Sequence, residues 1–330
     1  MTIGINRKRT YKDFDKIVSE NRSAIMGLAM LSVMLFHQYF TSVFPFNVFH
    51  NFGYWGVDVF LFLSGMGLVR SIETNPLPLY YKRRFIRIIP CCILCGVTKY
   101  IVFLSLGSSV AILKDGLKIG WWSLFSFDLW FIPTILILYI ISPLLHNLLR
   151  KSPSIVIIVI SILMLINGLT LRPVIGFNWT SPEGVLSYTI ERTLVFALGM
   201  LVSIRKGSED SNISYSTFSL TIAVVIAILG KSGIQPFNNT TYSLLALAFG
   251  LPALVAINIL IIKISPPILK RFINFMGRHS LELYLVHEFI FWSMKINFDD
   301  SYPLLLLVIG LLISCLIAHF CKLSLNRLLT

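Results

Sequence analysis

The chain is short of charge. Of its 330 residues only 13% are Asp, Glu, Lys or Arg, where a soluble globular domain carries roughly 25%. Acidic side chains are the scarcest, 15 against 28 basic ones. With 56% of residues hydrophobic, the composition excludes both an ordinary soluble enzyme and a disordered polymer. An apolar leader is missing too. Residues 1–22, MTIGINRKRTYKDFDKIVSENR, hold no hydrophobic core, so a cleavable signal is not expected. No internal repeat, low-complexity stretch or long polar insertion interrupts the chain. Cysteine is sparse, and the CxxC of Cys92 and Cys95 lies in an apolar run without a second pair or a nearby His. Cys91, Cys92, Cys95, Cys315 and Cys321 therefore read as small hydrophobes, and no metal site is expected.

What the chain does have is apolar length. A membrane crossing takes ~20 mostly apolar residues at ~1.5 Å rise each. That ruler yields ten spans, at 23–44, 52–70, 88–107, 129–146, 153–171, 185–204, 213–230, 241–262, 272–293 and 302–321. Lys231 and Gly233 close the seventh early. A net charge of +13 would suggest nucleic acid in a soluble protein. Here the basic residues punctuate the apolar runs, which argues against nucleic acid and sets an orientation instead. With the N-terminus inside, the outer loops hold only Lys114, Lys118, Arg172, Lys231 and Lys295. Lys99 and Arg192 fall within spans, and the rest of the 28 lie in cytoplasmic segments. The expectation is an all-α, polytopic membrane protein with both termini cytoplasmic. Residues 1–22 would be a basic cytoplasmic segment and 23–330 the membrane domain. Trp121 and Trp122, in the longest outer stretch, suit the membrane interface.

Ionisable residues inside spans need a reason, because each costs ~2.5–3.5 kcal/mol at mid-membrane on insertion scales. His37 lies in the first span and Asp58 in the second. Helical rise puts His37 ~20 Å from the cytoplasmic end and Asp58 about one to two turns from the outer end, so similar depths are expected. An imidazole with an anionic neighbour is a general-base arrangement. The segment GVDVFLFLSGMGL (56–68) adds Gly56, Ser64, Gly65 and Gly67, small residues that let helices approach or leave room for a ligand.

The segment YYKRRFIRIIP (80–90) carries Lys82, Arg83, Arg84 and Arg87. Arg84 and Arg87 share a helix face. Guanidinium pairs suit phosphate, and anchoring to anionic headgroups is equally compatible with the spacing. Glu191 and Arg192, adjacent in the sixth span, point in different directions and need partners on other helices, for structure or for function. Lys99 can snorkel or line a cavity. In MGRHSLELYLVHEFIF (276–291), Glu282 lies near the cytoplasmic side, as a solvated interfacial group or a functional one. His287 is about a turn and a half deeper.

Together these segments resemble the membrane acyltransferase 3 family, the O-acyltransferases that decorate bacterial surface polysaccharides, lipopolysaccharides and Nod factors. The matching pieces are MGLAMLSVMLFH (26–37), GVDVFLFLSGMGL (56–68), RFIR (84–87) before Pro90, LWFIPTILILYIISPLL (129–145) and GRHSLELYLVH (277–287). They follow the family's order and spacing over nearly the whole chain. The resemblance implies a bacterial inner-membrane enzyme with an acyl-CoA donor, usually acetyl-CoA, and a carbohydrate or glycolipid hydroxyl as acceptor. The family's essential first-span His matches His37, and its Arg-x-x-Arg matches Arg84 and Arg87. Its late Ser-containing motif matches Ser280, Tyr284 and His287, with Glu282 inside it. One departure stands out: the family's basic residue eleven positions before the His is here Met26. Arg22 precedes it by about one turn on roughly the same face and is the candidate substitute.

The mechanism expected from this resemblance has Lys82, Arg83, Arg84 and Arg87 hold the CoA phosphates while the pantetheine arm enters between helices. His37 takes the acceptor's proton, Asp58 orients His37 or stabilises its imidazolium, and Ser64 and Tyr139 are candidate oxyanion donors. A homo-oligomer is compatible with this reading. A transporter or flippase of lipid-linked sugars is the rival, since ten spans and buried charges suit it as well. The missing repeats, which many transporter folds show, speak against it.

Overall fold

The computed structural model describes residues 16–38, 50, 53, 55–105, 130–171, 174, 181–204, 239–297 and 302–329. Its helices are α1 (Arg22–Phe36), α2 (Trp55–Thr74), α3 (Leu77–Ser105), α4 (Phe131–Lys151), α5 (Pro153–Leu169), α6 (Pro182–Ile204), α7 (Asn239–Ile264), α8 (Pro267–Arg278), α9 (Ser280–Asn297) and α10 (Pro303–Leu329). No strand occurs among the described residues. Helices α5, α6, α8 and α10 each begin at a proline, whose fixed φ suits a first turn and whose missing N–H would have gone unused there. Pro90 and Pro143 lie inside α3 and α4, as membrane helices tolerate.

Among the described residues, α2, α4, α6 and the stretch Pro303–Arg327 of α10 are long and apolar enough to cross a bilayer. Helices α1 and α5 are apolar but shorter. The molecule is apolar outside as well as inside. Leu144, Ile155, Ile158, Leu316 and Phe320 are each more than half exposed, whereas Asp58, Glu191 and Arg192 are buried. Such a surface would be a liability in water and is ordinary in lipid. The chain is a helical membrane protein.

Close approach between helices rests on glycine. A Cβ at Gly65 of α2 would run into the Phe196 carbonyl of α6, and one at Gly199 of α6 into the Phe62 carbonyl of α2. Gly27 and Gly277 do the same for α1 against α8, where Ser23 Oγ donates to the Asn274 carbonyl at 3.1 Å. Small residues at such crossings let the backbones meet. Gly27 meets Ile273 and Ser23 meets Gly277, so α8 crosses α1, and beyond the break His287 of α9 meets His37. Helix α2 runs against α1, with Gly56 at Ala29 and Leu63 at Arg22.

Two expected spans change form. The helix expected over 23–44 ends at Phe36, and His37 is its C-cap, with φ −90° and ψ 2°. The imidazole Nδ1 competes for the Val33 carbonyl that the His37 backbone N–H also uses, so the side chain takes part in ending the helix. The span expected over 272–293 breaks at His279, with φ −109° and ψ 17°. Before the break, α8 buries Ile273 and Met276 and exposes Arg271 and Arg278, the pattern of a helix lying at a membrane interface. After it comes α9. The seventh expected span, Trp121, Trp122, residues 1–15 and the Lys99 side chain lie outside the described residues.

Candidate active site

A cavity of about 690 Å³, its mouth included, opens among α1, α2, α3, α4 and α9. Its lining includes Arg22, Met26, Ser64, Gly67, Arg84, Arg87, Tyr139, Ser280 and Tyr284. Three guanidinium groups therefore share one wall system. Arg22 Nη1 donates to the Leu63 carbonyl at 2.8 Å. Its guanidinium lies over Gly67, where an added Cβ would sit 3.3 Å from Nη1, so glycine leaves the space that Arg22 fills. Met26 lines the same cavity one turn further along α1. Arg84 lies over the ring of Tyr80, 5.8 Å from its centroid, and its Nε is buried without a hydrogen-bond partner.

Tyr80 is fully buried, with its hydroxyl 2.6 Å from Ser142 Oγ and 3.2 Å from the Tyr139 carbonyl. It went unnoticed in the sequence, though it precedes Arg84 by four residues, which places the two on one helix face. Lys82 and Arg83 are exposed, and Arg83 Nη1 donates to Asn75 Oδ1 at 2.9 Å. The expected four-cation patch thus divides. Arg84 and Arg87 line the cavity, whereas Arg83, though four residues from Arg87 and near it on the helix, is turned to Asn75. The first residue of α9, Ser280, also lines the cavity, so a helix start lies beside three arginines. Both features favour an anion.

One wall residue of the cavity touches a pair of histidines that lie outside its lining. That residue is Tyr284, whose ring centroid is 5.8 Å from that of His287. His287 Nε2 lies 3.1 Å from His37 Nδ1. The two imidazoles meet edge to face with centroids 5.1 Å apart. His287 is buried and His37 is partly exposed.

Asp58, expected beside His37, has a different neighbour. Arg192 Nε lies 2.9 Å from Asp58 Oδ1, an ion-pair contact whose N–H is not aimed closely enough to count as a hydrogen bond. Both side chains are at most 5% exposed. The reason is the glycine-mediated crossing of α2 and α6, which brings these two charges together inside the bundle, where a lone charge would be costly. Arg192 also lies 5.2 Å over the Trp130 ring, which stacks on Tyr188. Glu191, next in the chain, is buried as well. Glu282 is buried, and its Oε1 is 3.9 Å from Lys322 Nζ of α10, which in turn donates to the Arg278 carbonyl. All five cysteines are buried thiols.

A family model described as an acyltransferase domain, that of acyltransferase 3, matches residues 24–321. The chain belongs to the acyltransferase 3 family. Membership makes it a membrane acyltransferase and decides against the transporter reading. No curated protein and no solved structure matches it. Of the residues that carried the family resemblance, Arg84, Arg87, Ser280 and Tyr284 line one cavity, while His37 and His287 meet beyond Tyr284. Ser64 and Tyr139 lie in the cavity with the arginines.

Proposed function

We propose that this acyltransferase moves an acyl group, acetyl in the simplest case, from acyl-CoA to a hydroxyl of a surface polysaccharide or glycolipid in a bacterial inner membrane. The observation that carries the reading is the convergence of Arg22, Arg84 and Arg87 on one cavity whose Tyr284 wall adjoins the His37–His287 pair. The phosphates of CoA suit the three guanidinium groups and the start of α9. Along α1, Arg22 and His37 are ~22 Å apart at helical rise, a separation that calls for a donor with a long, thin arm between its anionic end and its reactive end.

At the reactive end, the His37 imidazole takes the proton of the acceptor hydroxyl as its oxygen attacks the thioester carbonyl. The new C–O bond forms, the C–S bond breaks, and the CoA sulfur receives the proton from the imidazolium. Ser64 adjoins Leu63, whose carbonyl holds Arg22, so Ser64 and Tyr139 serve the arginine end of the cavity and not an oxyanion at His37. Asp58 acts at a distance, by holding α2 to α6 through Arg192.

The test is His37→Ala, compared with wild type at matched membrane levels. Acyl transfer should fall by at least ~10²-fold, the low end for a positioned base, while acyl-CoA binding persists. Transfer near the wild-type rate would remove His37 from the chemistry.

A further inference from the structure

We propose that His287 is a positioning residue for His37, accepting the His37 Nδ1–H and so directing the basic lone pair to Nε2. The inference rests on the acyl-transfer reading above and assigns its proton acceptor to a single atom. Carbonyl oxygens only accept hydrogen bonds. His287 Nδ1 lies 2.9 Å from the Leu283 carbonyl and 3.0 Å from that of Tyr284, so it carries the hydrogen and donates it to them. A neutral imidazole protonated there has its lone pair at Nε2. That atom is 3.1 Å from His37 Nδ1. His37 Nδ1 also lies 3.0 Å from the Val33 carbonyl, so it too bears a hydrogen, shared between two acceptors. The lone pair of His37 is therefore on Nε2, on the far side of the ring from both.

Val33 alone would select this tautomer. What His287 adds is a second acceptor, held on a different helix, that stops the imidazole from swinging about its Cβ. When the acceptor hydroxyl gives its proton to His37 Nε2, the positive charge that forms is shared with Nδ1–H. The bond to His287 then becomes charge-assisted and stronger. The proton leaves again from Nε2 to the CoA sulfur, and His287 ends with the protons it began with. A hydrogen bond that strengthens in this way contributes about ten- to a hundredfold in rate.

The experiment compares His287→Leu, which has no acceptor, with His287→Gln, whose amide oxygen supplies one, in the full chain in membranes. The readouts are kcat, KM for acyl-CoA, and acyl-CoA binding. His287→Leu should lower kcat about ten- to a hundredfold with KM unchanged, and His287→Gln should recover most of the loss. In the double change with His37→Ala, His287→Leu should cost nothing further, because it acts only through His37. If His287→Leu does not reach the membrane, His287→Phe serves as the acceptor-free variant. Wild-type kcat without an acceptor, equal losses in the Gln and acceptor-free variants, or additive losses in the double change would each overturn the proposal. The two readings separate cleanly: an active His37→Ala removes the base itself. An inactive His37→Ala beside a fully active His287→Leu removes only the positioning role.

Discussion

Replacing Arg22 by Ala takes one of three guanidinium groups out of the cavity and leaves Arg84 and Arg87 in place. If all three contact the phosphates of the donor, the change removes a charge-assisted bond worth ~1.5–3 kcal/mol. At ~1.4 kcal/mol per factor of ten, KM for acyl-CoA should rise roughly 10- to 140-fold. Arg22→Lys keeps the charge but loses the planar fork that also reaches the Leu63 carbonyl, so its KM should fall between the two. The double change Arg22→Ala with Met26→Arg moves the guanidinium one turn along the same cavity wall and should recover part of the affinity. Gly67→Ala would press on the Arg22 guanidinium. A modest rise in KM should follow that vanishes when Arg22 is already Ala. The assay is thiol release from acyl-CoA in membranes carrying matched amounts of protein and saturating acceptor. An unchanged KM in Arg22→Ala would show that this guanidinium does not touch the donor, and the offset from Met26 would lose its functional meaning.

The two cations outside the cavity lining make a control. Lys82→Ala and Arg83→Ala should leave KM unchanged, while Arg84→Ala or Arg87→Ala raises it, and a rise in the first pair would return the whole segment to one undivided patch. Asp58→Leu should lower stability in detergent by ~3–5 kcal/mol, because Arg192 is left charged and unpaired, with thermal unfolding as the measurement. Adding Arg192→Met should restore most of that loss, and a single variant as stable as wild type would mean the pair is not in contact. Reporter fusions near Phe46 and after Thr330 should mark exterior and cytoplasm respectively, and a shared side would break the ten-span arrangement.

Much of this protein could be read from local pattern. Apolar length implied helices, and prolines marked where several of them begin, because both are properties of one segment and its immediate surroundings. The shared face of Arg84 and Arg87 followed from a three-residue spacing, and the one-turn offset pointed to Arg22. Helical geometry alone relates such positions. Motifs spread from Met26 to His287 were enough to name the family, because their residue types and order survive without knowledge of their contacts.

What joins one helix to another was not legible. His37 and His287 are 250 positions apart, and no periodicity links them. They meet because Gly27 and Gly277 let α8 close on α1, and α9 continues from α8. Depth along a span suggested Asp58 as the neighbour of His37, but depth says nothing about which face of a helix is presented to which partner. The crossing of α2 and α6 at Gly65 and Gly199 turned Asp58 to Arg192 instead. The break at His279 was hidden because apolar residues continue across it. Residue spacing determines what shares a face within one helix. Only the packing of the bundle, where backbones approach and where they cannot, decides which of those faces meet.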